Sequence, residues 1–124
     1  MLWEGRKAGS FVEFKVECSS RTFQQIRVMY LTGHAINYGF GRIEINGQHV
    51  STPSGFRLKQ GSLFANGDYP FPKKCGRWGC PVERHVVRVT VLTPAEGRPI
   101  PTVGKQGVGT GFGINSIMCI DPLV

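Results

Sequence analysis

Cys75 and Cys80 stand five positions apart with an aromatic between them, in Cys75-Gly76-Arg77-Trp78-Gly79-Cys80. Three chemistries suit that spacing. An oxidised pair closes a tight loop and holds Trp78 at its tip. So short a loop removes little chain entropy, so the bridge would present Trp78 rather than stabilise the whole domain. A reduced pair leaves two thiols. Two thiolates with His85 supply three of the four ligands zinc takes, but the fourth must come from far along the chain and the spacing matches no finger pattern. Four cysteines, Cys18, Cys75, Cys80 and Cys119, allow three full pairings. The Cys75–Cys80 bridge is the expectation taken forward, with no metal and no cofactor.

The residues that run catalysis are present but not arranged for it. His34, His49 and His85 have no nucleophile beside them in a recognised setting, and no two are spaced as metal ligands. Glycoside cleavage needs two carboxyls placed across a sugar. Of the acids, Asp68 alone falls in a segment that reads as a ligand-binding loop. Most of the others, such as Glu13, Glu17 and Glu44, fall on strand faces or turns. Gly107-Val108-Gly109-Thr110-Gly111-Phe112-Gly113 contains G-x-G-x-G, yet it neither follows a clear strand nor opens a helix. That excludes a dinucleotide fingerprint and leaves a turn or close backbone packing. The chain is therefore not expected to be an enzyme.

Binding is better provided for. Tyr38, Tyr69, Phe71 and Trp78 lie in segments that read as loops. An aromatic ring can stack on the apolar face of a sugar while a nearby amide or charge orients the hydroxyls. The competing reading is that these rings fill the ends of a sandwich. A site of Tyr38, Asp68, Tyr69 and Trp78 with Lys74 or Arg77 would favour an acidic sugar.

The elements that must position these side chains are strands. The 124 residues suit one domain with a modest core, and 17 glycines with 8 prolines spread over many short segments favour an all-β chain. Residues 11–18 alternate, with Val12, Phe14, Val16 and Cys18 on one face. In 23–31, Ile26, Val28 and Tyr30 oppose Gln25, Arg27 and Met29. Residues 42–45 and 48–50 flank Asn46-Gly47, which accepts the two positive φ angles of a type I′ hairpin turn. Residues 56–59 read as a short strand, 83–92 as the clearest strand, and 114–120 as the last. The expected core is Val12, Phe14, Val16, Ile26, Val28, Ile43, Ile45, Val87, Val89, Val91 and Ile117. The connections 61–81 and 93–113 exceed the usual loop length, which marks them as functional or disordered. No stretch keeps a helical period beyond a turn or two.

The net charge is +7. It permits an acidic partner such as a uronic or sulfated polysaccharide. The basic residues are dispersed, with no run longer than two and no basic–aromatic RNA motif, so nucleic acid is the weakest partner class. No apolar run is long enough to span a membrane as a helix. Met1 to Lys7 has no apolar core of the signal-peptide kind. Three origins stay open: a cytosolic chain, a secreted domain with an added Met, or a piece of a longer protein cut near Asp121, extracellular if the parent is processed that way.

Three segments together resemble the galactose-binding-like β-sandwich, the jelly roll shared by many non-catalytic carbohydrate-binding modules. Gly9-Ser10-Phe11-Val12-Glu13-Phe14-Lys15-Val16 is similar to its opening strand. Gln25-Ile26-Arg27-Val28-Met29-Tyr30, a Gly-rich loop, and Gly41-Arg42-Ile43-Glu44-Ile45-Asn46-Gly47 are similar to its centre. Ile114-Asn115-Ser116-Ile117-Met118-Cys119-Ile120 is similar to its closing strand. The resemblance implies an antiparallel two-sheet sandwich with a ligand end shaped by the loop that holds Tyr38. It implies a sugar contact from Asn115, although Asn115 in an Asx-type turn is the plainer reading. Ser116 stands where an acidic residue is common, which argues against a family-type metal site. It also implies that the first and last strands are neighbours, which would bring Cys18 and Cys119 close enough to bridge if the register allows. The function expected from all this is non-catalytic carbohydrate binding, with acidic polysaccharide as the candidate ligand and a parent enzyme as a candidate partner. The alternative is a structural jelly-roll protein whose loops make protein–protein contacts, including contacts with copies of itself.

Overall fold

The computed structural model describes residues 2–18, 23–33, 38–55, 63–72, 82–97 and 109–120. They form eight strands and one helical turn: β1 Trp3–Gly5, β2 Phe11–Cys18, β3 Phe23–Thr32, β4 Gly41–Ile45, β5 Gln48–Ser51, β6 Leu63–Pro72, β7 Glu83–Val91, α1 Pro94–Gly97 and β8 Phe112–Ile120. Two four-stranded antiparallel sheets result, ordered β1-β8-β3-β6 and β2-β7-β4-β5. The pairs β1–β8, β2–β7, β3–β6 and β4–β5 are those of one long hairpin rolled into two layers, the jelly-roll arrangement.

Alternation builds the layers. In β2, Val16 and Cys18 are buried and Val12 and Phe14 half-buried, while Glu13, Lys15 and Glu17 face solvent. In β7, His85, Val87, Val89 and Val91 are buried. Ile26, Val28, Phe112 and Ile114 from the first sheet meet Val16, Ile43, Val87, Val89 and Val91 from the second. Tyr30 stacks on Phe112, ring centroids 5.6 Å apart. Val12, Phe14, Ile45 and Ile117 pack around this centre, so every expected core residue is in it or against it.

The β4–β5 hairpin turns at Asn46 and Gly47, with φ of 53° and 82°. Ile45 and Gln48 are paired across it, so these two residues are the whole loop. That is the conformation a type I′ turn requires.

Three expectations need correction. Residues 61–81 are not one long loop, because β6 pairs with β3 along all ten of its residues. Its glycine, prolines and aromatics make it read as a loop. β6 is an edge strand, and an edge tolerates prolines whose missing N–H would face solvent. Second, the strands beside β8 are the short β1 and β3; Phe11–Cys18 lies in the opposite sheet. Cys18 and Cys119 are nonetheless disulfide-bonded, with Cα atoms 5.6 Å apart. The bridge joins the sheets through the core face. Third, β8 starts at Phe112 and contains a bulge. Tyr30 pairs with Ile114 and Met29 with Ser116, which leaves Asn115 as the extra residue. The bulge changes the parity, so Phe112 and Ile114 point inward before it and Ile117 and Cys119 after it.

The region 93–113 holds α1, capped reciprocally. Thr93 N–H donates to Glu96 Oε1 at 2.9 Å and Glu96 N–H to Thr93 Oγ1 at 3.2 Å. The expected strand at 56–59 lies outside the described residues.

Candidate functional site

The sandwich has two ends. Cys18, Phe23, Pro72, Glu83 and Ile120 stand at one; Phe11, Thr32, Gly41, Leu63, Val91 and Phe112 stand at the other. This polarity separates the expected site residues. Tyr38 is half-buried at the second end, bridged to Gly111, with its ring over the bare backbone of Gly33. Tyr69 is opposite Ile26, toward the first end. From Ile26 to Gly33 the strand climbs roughly 23 Å, so Tyr38 and Tyr69 do not share one small site.

Asp68 is spoken for. It sits on the outer face of β6, opposite Arg27, and receives a two-pronged contact: Arg27 Nε to Oδ1 at 2.8 Å and Nη2 to Oδ2 at 3.1 Å. The Arg27 hydrogen bond holds the carboxyl below its ordinary pKa. Reading Asp68 as a loop acid is therefore corrected to a strand residue in an ion pair. Asn115 occupies the β8 bulge and donates from its amide to Met29 Sδ at 3.3 Å on the outer face of the first sheet. Lys74, Cys75, Arg77, Trp78 and Cys80 lie outside the described residues.

Tyr69 is placed differently from the rest. Its ring points inward and is half-buried; burial raises its pKa, while a hydrogen bond with the Ser51 side chain opposes the shift. With Pro70 it forms one wall of a cleft of about 170 Å³, whose other walls are Ile45, Asn46, Gln48 and Val50 of the hairpin and His85 of β7. The cleft opens where the edge strand of one sheet, β6, faces the edge strand of the other, β5. Ile45, Val50, Tyr69 and Pro70 make its apolar surface. Asn46, Gln48 and His85 supply polar groups. Such a mixture is what a small-molecule site needs.

Asn46 and Gln48 are not among the expected site residues, and His85 enters the sequence reading only as a third ligand in the zinc alternative. Asn46-Gly47 was legible only as a turn. His85 shares parity with Val87, Val89 and Val91, so its inward direction was readable; that it meets Asn46 from 39 positions away was not.

Charge is distributed by segment. The described residues carry seven Lys/Arg and seven Asp/Glu, so the whole net charge of +7 falls on the other segments, where eight Lys/Arg stand against Asp121. On the sheets the guanidiniums are interleaved with carboxylates: Arg84 Nε to Glu17 Oε1 at 3.0 Å, Arg42 to Glu44 at 3.5 Å, and Arg88 to Glu13 at 3.6 Å, with Arg88 also over the Phe11 ring. These exposed pairs contribute little to stability, but they leave no uniform basic face on the described sheets. None of the described residues lining the cleft is a lysine or arginine. Among the described residues no three His, Cys, Asp or Glu stand together as metal ligands, and no helix is long and apolar enough to cross a membrane.

In comparisons with known proteins, no family model, no curated protein and no solved structure matches this chain.

Proposed function

We propose that this domain is a non-catalytic carbohydrate-binding module and that the cleft between the β4–β5 hairpin and β6 is its site. The observation that carries the proposal is Tyr69 and Pro70 forming an apolar wall opposite the amides of Asn46 and Gln48 and the imidazole of His85. An apolar wall serves the face of a sugar ring, and amides serve its hydroxyls. At about 170 Å³ the cleft is smaller than the 300–1,000 Å³ of drug-sized pockets, which suits a single sugar residue at a chain end. A jelly roll alone supports no function, since lectin and capsid domains both use it. The resemblance of the three sequence segments to galactose-binding-like modules is the supporting analogy. An acidic sugar would need its cation from beyond the described lining; Lys74 and Arg77 are the expected candidates and lie outside the described residues.

The test is titration of neutral and uronic or sulfated oligosaccharides, followed by amide shifts, with Gln48→Ala and Val50→Asp as cleft variants. Binding that moves Gln48, Val50 and Tyr69 and weakens in both variants supports the site. Binding that both variants leave intact places the sugar elsewhere. No glycan binding, together with a solution mass above that of one chain, would favour the assembly role instead.

A further inference from the structure

Asn46 fastens the tip of the β4–β5 hairpin to β7. Its backbone N–H donates to Val86 O at 2.9 Å. Its side-chain Oδ1 accepts from Val86 N–H at 3.0 Å, and its side-chain nitrogen stands 2.8 Å from His85 Nδ1. The Val86 contact orients the amide, because turning it over would set one N–H group against another. The group beside His85 is therefore an NH₂, which can only donate, and His85 Nδ1 must accept. An imidazole that accepts at Nδ1 is neutral and carries its proton on Nε2. Nε2 lies 3.4 Å from Glu83 Oε2.

We propose that protonation of His85 releases the Asn46 side-chain contacts and so loosens the hairpin wall of the cleft, making the site sensitive to acid. This gives a regulation to the cleft read above as a sugar site, and it rests on that reading for its biological meaning. A protonated ring donates from both nitrogens. Its new Nδ1–H faces the Asn46 NH₂, and relief requires the amide to turn, which gives up the Val86 N–H···Oδ1 bond. Asn46 and Gln48 belong to the wall that moves.

The described groups facing His85 come from four elements. From β7, Glu83 lies on the Nε2 side of the ring, away from Asn46, so a contact with it does not restore the lost bond. From β2, the register neighbours are Val16 and the disulfide-bonded Cys18, which do not titrate. From the hairpin come the uncharged Asn46 and Gln48, and from β6 comes the Tyr69 hydroxyl, which stays neutral throughout the histidine range.

The test is nuclear magnetic resonance of the ligand-free domain between about pH 8 and pH 5, the span in which histidine titrates. Nitrogen-15 spectra of the imidazoles should show His85 as the Nε2–H tautomer at the high end. On acidification, amide exchange at Val86, corrected for its intrinsic pH dependence, should rise roughly fivefold, the worth of one net hydrogen bond. Gln48, Val50 and Tyr69 should shift with the same midpoint. In His85→Gln, whose amide oxygen can accept from Asn46 at every pH, these changes should vanish. In His49→Gln they should persist, because His49 is exposed and bonded to Thr52 Oγ1. An Nδ1–H tautomer at high pH overturns the proposal in the wild-type protein alone. So does protonation of His85 that leaves Val86 and Gln48 unmoved, or a pH response that survives His85→Gln. No ligand enters the test, so a failure here and a failure to find a glycan are separate results.

Discussion

Cys18 and Cys119 are bonded across the two sheets, 101 residues apart in sequence and 5.6 Å apart between Cα atoms. Cys18 ends β2, opposite Glu83, and Cys119 lies near the end of β8, opposite Ile26. The bridge therefore ties both layers together at the end where β3 begins and β6 ends.

Closing a loop of that length restrains the unfolded chain strongly. Replacing both cysteines with serine should lower stability by about 4–5 kcal/mol in the chain-entropy account, measured by urea unfolding with and without reductant. Non-reducing peptide mapping should recover Cys18 linked to Cys119. The same map reads the Cys75–Cys80 expectation, where a linked Cys75–Cys80 peptide is the expected product.

Ile43 is completely buried where β4 packs on β7. Ile43→Ala should cost about 2–5 kcal/mol, the usual range for emptying such a site. Val89→Ala, which removes less volume, should cost about 1–2 kcal/mol. Equal small effects at both positions would show that the centre of the core lies elsewhere.

Gly47 has φ of 82°, and nothing lies within 4 Å of a Cβ added there. The cost of Gly47→Ala is thus conformational, about 1–2 kcal/mol. The variant should unfold earlier in urea with unchanged dependence on urea concentration. A matching change at Gly47 with no loss of stability would remove the type I′ assignment.

Asp68 has a folded-state pKa lowered first by its hydrogen bond to Arg27 and then by the Arg27 charge, with burial opposing both. Its contribution is present above the unfolded carboxylate pKa of about 3.9 and is lost as pH falls through the lower folded value. The pair faces solvent, so the acid-side loss should be small and should shrink further in high salt. Asp68→Asn should remove this part of the pH dependence and leave the hairpin cleft unaffected.

What the sequence determined by itself is whatever depends on near neighbours. Alternation in 11–18, 23–31 and 83–92 assigned the strands and their inward faces, because successive strand residues point to opposite sides. Asn46-Gly47 specified its turn, because few residue pairs accept two positive φ angles. Tertiary structure decided the rest. Residues 63–72 carry strand-breaking types and become a strand because β3 offers ten pairing partners and because β6 is an edge, where prolines are tolerated. Asn115 becomes a bulge only because β3 fixes the register on either side of it, and that extra residue is what turns Ile114 and Ile117 both inward. Asp68 and Tyr69 are adjacent in sequence, yet the pleat sends one to Arg27 in solvent and the other into the cleft. The cleft itself joins β4, β5, β6 and β7, and only the rolling of the two sheets brings His85 to Asn46.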